Sequence, residues 1–465
     1  MLYKLLPYEH KKWATLIGGF LIHFSLGSYY SFGNLSPYMI SYLREYVGID
    51  IRYSKSIWIS TLFNLAFAAG TLTSGFMNSK YKINLKLTIF SGCLIMSAGV
   101  AFTFFTIKIS YFLTLLTYGV MIGLGTGFAY IGPLSIAMKW FPEKKGLANS
   151  AILFGYGASA IIFDQVQTFY INPNNYAPDK PYSVKHPDEK YFSKLHLDLL
   201  DRVPKVFLLL AASYIVLQFI GICLLANFEE KDGQSAISIN NQESDRESLV
   251  QPLGDINSLG VNYKSPNEGM SLSEAFKSPV YFMIVTIICT VTVAPGFIVA
   301  FYKAFGLSFI DDDKFLATVG SVSSIFNSVG RFFWGYMVDK FSFKMCFLFL
   351  STIIIALVST IYLNKFFEIK VLYLVWVCAI YSCQCGLPVM VPTTIAKCFG
   401  QKNFNAIFGS IHFFSFPNVC LIALLASYAE QIGWFWLFFI GSCISLIGWS
   451  IGFIFDVKKS NGDDI

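Results

Sequence analysis

"KWFPEKKGL", residues 139–147, breaks a chain that is otherwise strongly apolar on both sides. Upstream, residues 113–138 read "LTLLTYGVMIGLGTGFAYIGPLSIAM"; downstream, residues 147–163 read "LANSAILFGYGASAIIF". Each flank is long enough to cross the ~30 Å hydrocarbon layer, which takes about 20 apolar residues in a helix. The knot of lysines is therefore a turn between two membrane helices. Pro142 assists it, because proline cannot continue a helical hydrogen-bond ladder. The question is which side of the membrane this turn faces.

Composition supports the membrane reading along the whole chain. Of 465 residues, 55% are hydrophobic and 13% charged, against about 25% charged in soluble proteins. A single soluble core of this size is excluded, since such cores stop growing near about 250–300 residues. The opening "MLYKLLPYEHKKW" has no small-residue cleavage site before the first apolar run, so no signal peptide is expected. The 10 cysteines all lie in or beside apolar runs, which argues against a disulfide framework. Cys383 and Cys385 read as packing residues rather than as a metal pair. No cofactor, metal or nucleic-acid partner is expected; the net charge of +6 is spread over many short loops.

Twelve apolar runs follow, at about 13–40, 57–77, 86–106, 111–138, 147–170, 206–227, 278–302, 316–338, 343–363, 370–396, 404–428 and 433–455. An even number puts both termini on one side. Lysines of the short segments on that side, among them Lys11, Lys12, Lys80, Lys82, Lys139, Lys144 and Lys145, outnumber the basic residues of the opposite short loops. That bias places the termini, and the opening turn, in the cytosol. The expected organisation is a six-helix half (1–227) with a long outer loop at 171–205, a polar linker (228–277), a second six-helix half (278–456) and a short tail (457–465). The linker reads as disordered, ending in a capping box at Ser271 and Glu274.

The halves repeat weakly: "GTLTSGFMNSK" (70–80) matches "GRFFWGYMVDK" (330–340), and "GPLSIA" (132–137) matches "VPTTIA" (391–396). A 6+6 repeat of this kind resembles the major facilitator superfamily. The resemblance implies an all-α membrane fold of twelve transmembrane helices in two pseudo-symmetric bundles, and a transporter rather than an enzyme. It also implies a conformational latch in "GYMVDKFSFK" (335–344), made of Gly335, Asp339, Lys340 and Lys344. In the first-half copy Ser79 replaces the acid.

After loops, linker and outer segments are assigned, one arginine remains inside a span: Arg331. A mid-membrane arginine costs about 2.5–3.5 kcal/mol on insertion scales, so it should face a cavity, a partner or a ligand. Its planar fork suits a carboxylate. The competing reading is a structural ion pair, but the only acid placed in a span is Asp164, toward the outer end of span 5. His23, His412 and Asp164 are the candidates for moving a proton. Tyr29, Tyr30, Tyr130 and Tyr381 could present hydroxyls to a cavity.

Three stretches narrow the resemblance further. "LGSYYSFGNLSPYM", "GTGFAYIGPLSIAMKWFPEKKGLANS" and "NSVGRFFWGYMVDK" are similar to the oxalate/formate antiporter family and its monocarboxylate transporter relatives. That similarity implies a substrate carboxylate on Arg331 and cavity roles for Tyr30 and Tyr130. It also marks a departure: Ser415 stands where the oxalate-type carriers place a second cation, and span 1 lacks the lysine of many monocarboxylate carriers. One fixed positive charge suits one carboxylate, because a second would be buried unpaired. The expectation is a monomeric carrier of a small organic anion of the pyruvate, lactate or formate class, coupled to a proton or a counter-anion. The alternatives are a carrier of another small solute and a receptor that binds without flux.

Overall fold

The computed structural model describes residues 7–226 and 270–457, apart from positions 52, 175, 177, 184–185, 307–308, 311–312, 401 and 429–431. Most of the expected linker and the tail beyond 457 lie outside the described residues. The linker's end is inside them: Ser271 and Glu274 form the reciprocal capping box on the turn Leu272–Ala275. Asn403 Nδ2 and the Phe399 carbonyl tie Met270 to the loop before span 11.

The chain is an all-α membrane protein of twelve spans in two six-helix bundles. The first bundle holds span 1 (Tyr8–Leu26, Gly27–Ser31, Phe32–Tyr42), span 2 (Ile57–Ser79), span 3 (Leu85–Thr106), span 4 (Tyr111–Trp140), span 5 (Lys145–Ile171) and span 6 (Leu197–Leu224). The second holds span 7 (Pro279–Val291, Val293–Gly306), span 8 (Asp313–Lys340), span 9 (Phe343–Thr360), span 10 (Lys370–Gln384, Gly386–Phe399), span 11 (Phe404–Phe414, Pro417–Ser427) and span 12 (Trp434–Ile454). Among the described residues 10 helices are apolar enough by themselves to cross a membrane. Spans 1 and 8 are not among them; they carry His23 and Arg331.

Span 6 begins at Leu197 rather than near 206. At about 1.5 Å per residue its 28 residues outrun the hydrocarbon layer. The first turns, with Asp198, Arg202 and Lys205, stand in the polar zone, where apolar periodicity gives no signal.

Several spans are broken. Span 1 tightens to a 3-10 helix at Gly27–Ser31 and span 4 widens to a π-helix at Leu115–Met121. Spans 7 and 10 are interrupted at Thr292 and Cys385. Such irregular turns recur at functional positions. They also release backbone groups that must be satisfied internally in lipid. At the span 10 break, Tyr381 and Ser382 carbonyls accept from Asn327 Nδ2 (3.1 Å) and Trp334 Nε1 (2.8 Å) of span 8.

The bundles meet through spans 2 and 11 and through spans 5 and 8. Glycines make both crossings close: a Cβ on Gly75 would lie 2.6 Å from the Ala406 Cα, and one on Gly146 2.5 Å from the Gly335 carbonyl oxygen. These approaches sit at the end of the bundle that carries the termini, so that end is sealed.

At the opposite end the described part of the long loop after span 5 carries structure that its composition did not announce. It contains a two-stranded antiparallel hairpin, Lys180–Ser183 with His186–Tyr191. Phe192 N donates to Ser41 Oγ at 3.2 Å, and Arg44 lies over the Tyr191 ring. Lys180 pairs with Glu45 at 2.6 Å. The hairpin is fastened to the far end of span 1.

Candidate functional site

Arg331 is 1% exposed. Its Nη2 donates to Asn327 Oδ1 at 3.2 Å, one turn earlier on the same helix. Its Nε is buried with no hydrogen-bond partner. Among the described residues it takes part in no ion pair; the pairs Arg44–Asp50, Lys180–Glu45 and His196–Asp179 lie at the far face. The guanidinium charge is thus held, but not neutralised, inside the protein.

Span 5 makes room for it. Gly157 faces the guanidinium, and a Cβ there would lie 3.0 Å from Arg331 Nε and 2.9 Å from Ser328 Oγ. One residue earlier, Tyr156 turns into the first bundle. Its ring stands edge-on to Tyr130 (5.5 Å) and to Tyr30 (5.2 Å). Span 1 reaches the same place at the start of its 3-10 turn. A side chain on Gly27 would lie 2.1 Å from the Tyr156 carbonyl oxygen, so only glycine permits this contact.

His23, 0% exposed, completes the cluster, with its ring 5.1 Å from Tyr130 and 6.3 Å from Tyr156. Tyr130 and Tyr156 are buried, whereas Tyr30 is 52% exposed. The cluster is closed toward the termini and its open flank is at Tyr30.

The structure therefore gathers Arg331, Tyr30, Tyr130 and His23, and links Tyr381 to them through Asn327. The Tyr381 ring itself packs toward Tyr302. Ser415 stands apart: its hydroxyl donates to the Ile411 carbonyl at 2.7 Å. His412 stacks on Phe408 at 4.2 Å and meets Phe67 of span 2 edge-on at 6.0 Å, at the crossing of spans 2 and 11. Asp164 lies two turns beyond Gly157 along span 5. Its carbonyl accepts from Asn34 Nδ2 at 3.2 Å, and its Oδ1 is buried without a partner. Sequence reasoning misses Tyr156, Gly157 and Asn327. The signal for the first two was the small-residue frame "GYGAS" around the tyrosine; for Asn327 it was its spacing of four from Arg331.

The turn that opened the sequence meets the repeat motif directly. Asp339, at the end of span 8, accepts from the backbone N–H of Gly146 (2.9 Å, Oδ1) and of Leu147 (2.8 Å, Oδ2). A carboxylate from one bundle thereby caps the first turn of a helix in the other, where orphan N–H groups and the helix dipole favour an anion. Gly335 supplies the close approach: a Cβ there would fall 1.8 Å from Ser150 Oγ. Lys340 lies near the rings of Tyr336 and Phe341, and Lys344 near Phe453.

A family signature described as Major Facilitator Superfamily matches residues 20–163. Apicoplast pyruvate carrier 1 of Toxoplasma gondii is 26% identical, over 87% of this chain and 81% of its own. Apicoplast pyruvate carrier 2 of the same organism is 23% identical, over 91% and 78%. In three dimensions the chain is similar to the Escherichia coli fucose:proton symporter, with a TM-score of 0.59 at 13% identity over 95% of this chain and 98% of that one. With the two bundles and the repeat, these likenesses make the chain similar to transporters of the major facilitator superfamily.

Proposed function

We propose that the protein is a secondary carrier of a small monocarboxylate, working by alternating access around Arg331. One observation carries the reading: a buried guanidinium with an unpartnered Nε, no neutralising carboxylate among the described residues and a glycine opposite it. A lone buried cation of this kind is unfavourable unless a ligand completes it. A planar carboxylate is the ligand its fork fits. The names of the two Toxoplasma relatives favour pyruvate as the first substrate to try. The lysine bias puts the sealed end in the cytosol. Entry is then from the opposite side, past Tyr30, with Tyr130 and Tyr156 walling the site. Spans 5 and 8 separate at the termini end for release.

The test is uptake of labelled pyruvate, formate and oxalate into proteoliposomes. Uptake of the monocarboxylates, lost in Arg331→Ala, supports the proposal. A charge-assisted hydrogen bond is worth about 1.5–3 kcal/mol, so affinity should fall roughly 10- to 100-fold. A preference for oxalate, or an Arg331→Ala variant with wild-type uptake, refutes it.

A further inference from the structure

We infer that His23 is the proton-binding partner of the anion site, so that one proton and one carboxylate are taken up together. This rests on the carrier reading above and adds the coupling ion, which that reading leaves open.

The geometry singles out His23 from the other candidates. His412 is held between Phe408 and Phe67 at a bundle crossing, and those two rings separate it from Tyr130. Asp164 is two turns further along span 5. His23 packs against Tyr130 and against Tyr156, the residue beside the Gly157 that faces the guanidinium. Its Nδ1 is 3.1 Å from the Gly19 carbonyl oxygen. A carbonyl only accepts, so Nδ1 carries the hydrogen and the neutral ring leaves Nε2 as a bare acceptor. That Nε2 is buried and has no partner. An imidazolium offers two N–H donors to these surroundings; the neutral ring offers one.

Charge supplies the coupling. The titratable and charged groups facing His23 are Tyr130 from span 4, Tyr156 from span 5 and the Arg331 guanidinium from span 8; Tyr30 of its own span touches Tyr156. With the site empty, an imidazolium would be a second cation in a dry pocket that already holds one. A carboxylate bound to Arg331 removes that repulsion and attracts the proton. By reciprocity, a proton on His23 strengthens anion binding by the same factor. The loaded site then holds two cations and one anion, the same net charge as the unprotonated empty site. The proton comes from and returns to water, and no covalent bond changes.

The experiment uses the full chain in detergent and in liposomes, with pyruvate as the probe. Where one proton is bound with the ligand, affinity weakens up to tenfold per pH unit on the alkaline side. Wild type should show that slope, and so should Asp164→Asn and His412→Gln. His23→Gln should bind with a flat pH profile and lose accumulation driven by an inward proton gradient. A variant-free measurement stands beside this: wild type mixed with pyruvate in weakly buffered solution should take up about one proton per ligand bound. A sloping His23→Gln profile, a flat Asp164→Asn profile, or no proton uptake by wild type overturns the inference. Absence of any Arg331-dependent pyruvate binding instead sinks the carrier reading beneath it.

Discussion

Asn327 holds Arg331 without discharging it. The carboxamide oxygen accepts from Nη2 at 3.2 Å, and the amide of the same side chain donates to the Tyr381 carbonyl at 3.1 Å. One neutral residue thus aims the guanidinium and ties it to the break in span 10. A carboxylate in the same place would aim it equally well and cancel its charge. Neutrality at position 327 is what leaves the cation available.

Asn327→Asp should therefore be the most damaging near-isosteric change in the site. The new carboxylate, one turn away and already in hydrogen-bond contact, forms a buried ion pair that an incoming anion must displace. Pyruvate affinity should fall at least about tenfold, a difference of about 1.4 kcal/mol. Asn327→Ala, which frees the guanidinium, should do less harm at the same pH. Titration of binding across the two variants checks the order, and a stronger effect of Ala than of Asp contradicts it.

In this structure Asp339 and the Gly146–Leu147 amides form a capping contact that joins the two bundles at the termini end. Asp339→Asn keeps the shape and loses the charge. Caps of this kind are worth about 1 kcal/mol, which moves a two-state ratio roughly fivefold. The population open at the termini end should rise by that amount. Alkylation of a cysteine placed at Ser150 reads it, faster labelling being the expected result. Lys340→Ala should change labelling little, because its ammonium faces ring surfaces rather than the opposite bundle.

The sequence was legible wherever burying a charge or fitting a length to the bilayer left a mark. Arg331 stood out because guanidinium in hydrocarbon is expensive, and Asp339 because the repeat located its motif. Other features left no such mark. The 3-10 turn at Gly27–Ser31 has the same apolar content as a continuous helix. Tyr156 is one of 26 tyrosines, and its importance arises only when span 1 crosses it at Gly27. The hairpin at 180–191 is polar, short and irregular in register between Pro181 and Ser183, so no alternation betrays it. Counting along a motif points to Ser415. Its hydroxyl bonds its own helix backbone, which counting alone does not reveal.

Gly335→Ala tests the crossing of spans 5 and 8 independently of charge. The added methyl would fall 1.8 Å from Ser150 Oγ and 2.7 Å from the Gly146 carbonyl oxygen. Overpacking of this order costs about 1–3 kcal/mol when neighbours shift. The cost applies to the sealed state alone, so the variant should favour the opposite one. Transport should slow because one half of the cycle is disfavoured. Pairing it with Ser150→Ala, which removes the nearer clash, should restore part of the rate; no restoration would locate the defect elsewhere.

The outer hairpin makes its own pH prediction. Asp179 accepts from the Ser193 N–H at 2.9 Å and from the Ser193 hydroxyl, and stands 3.6 Å from His196 Nε2. Burial pushes its carboxyl up, but the Ser193 hydroxyl and amide and the His196 charge outweigh it, so the group sits below the usual carboxylate range. A depressed carboxyl contributes stability above its unfolded value of about 3.9, and that contribution is lost as pH falls through the lower folded value. The anchoring of the hairpin should therefore be level from neutral pH down to about 4 and loosen only below that. Asp179→Asn should loosen it at all pH values. Hydrogen exchange of the Tyr191 and Phe192 amides follows both. An acid-induced rise in exchange near neutrality would assign the anchoring to a different group.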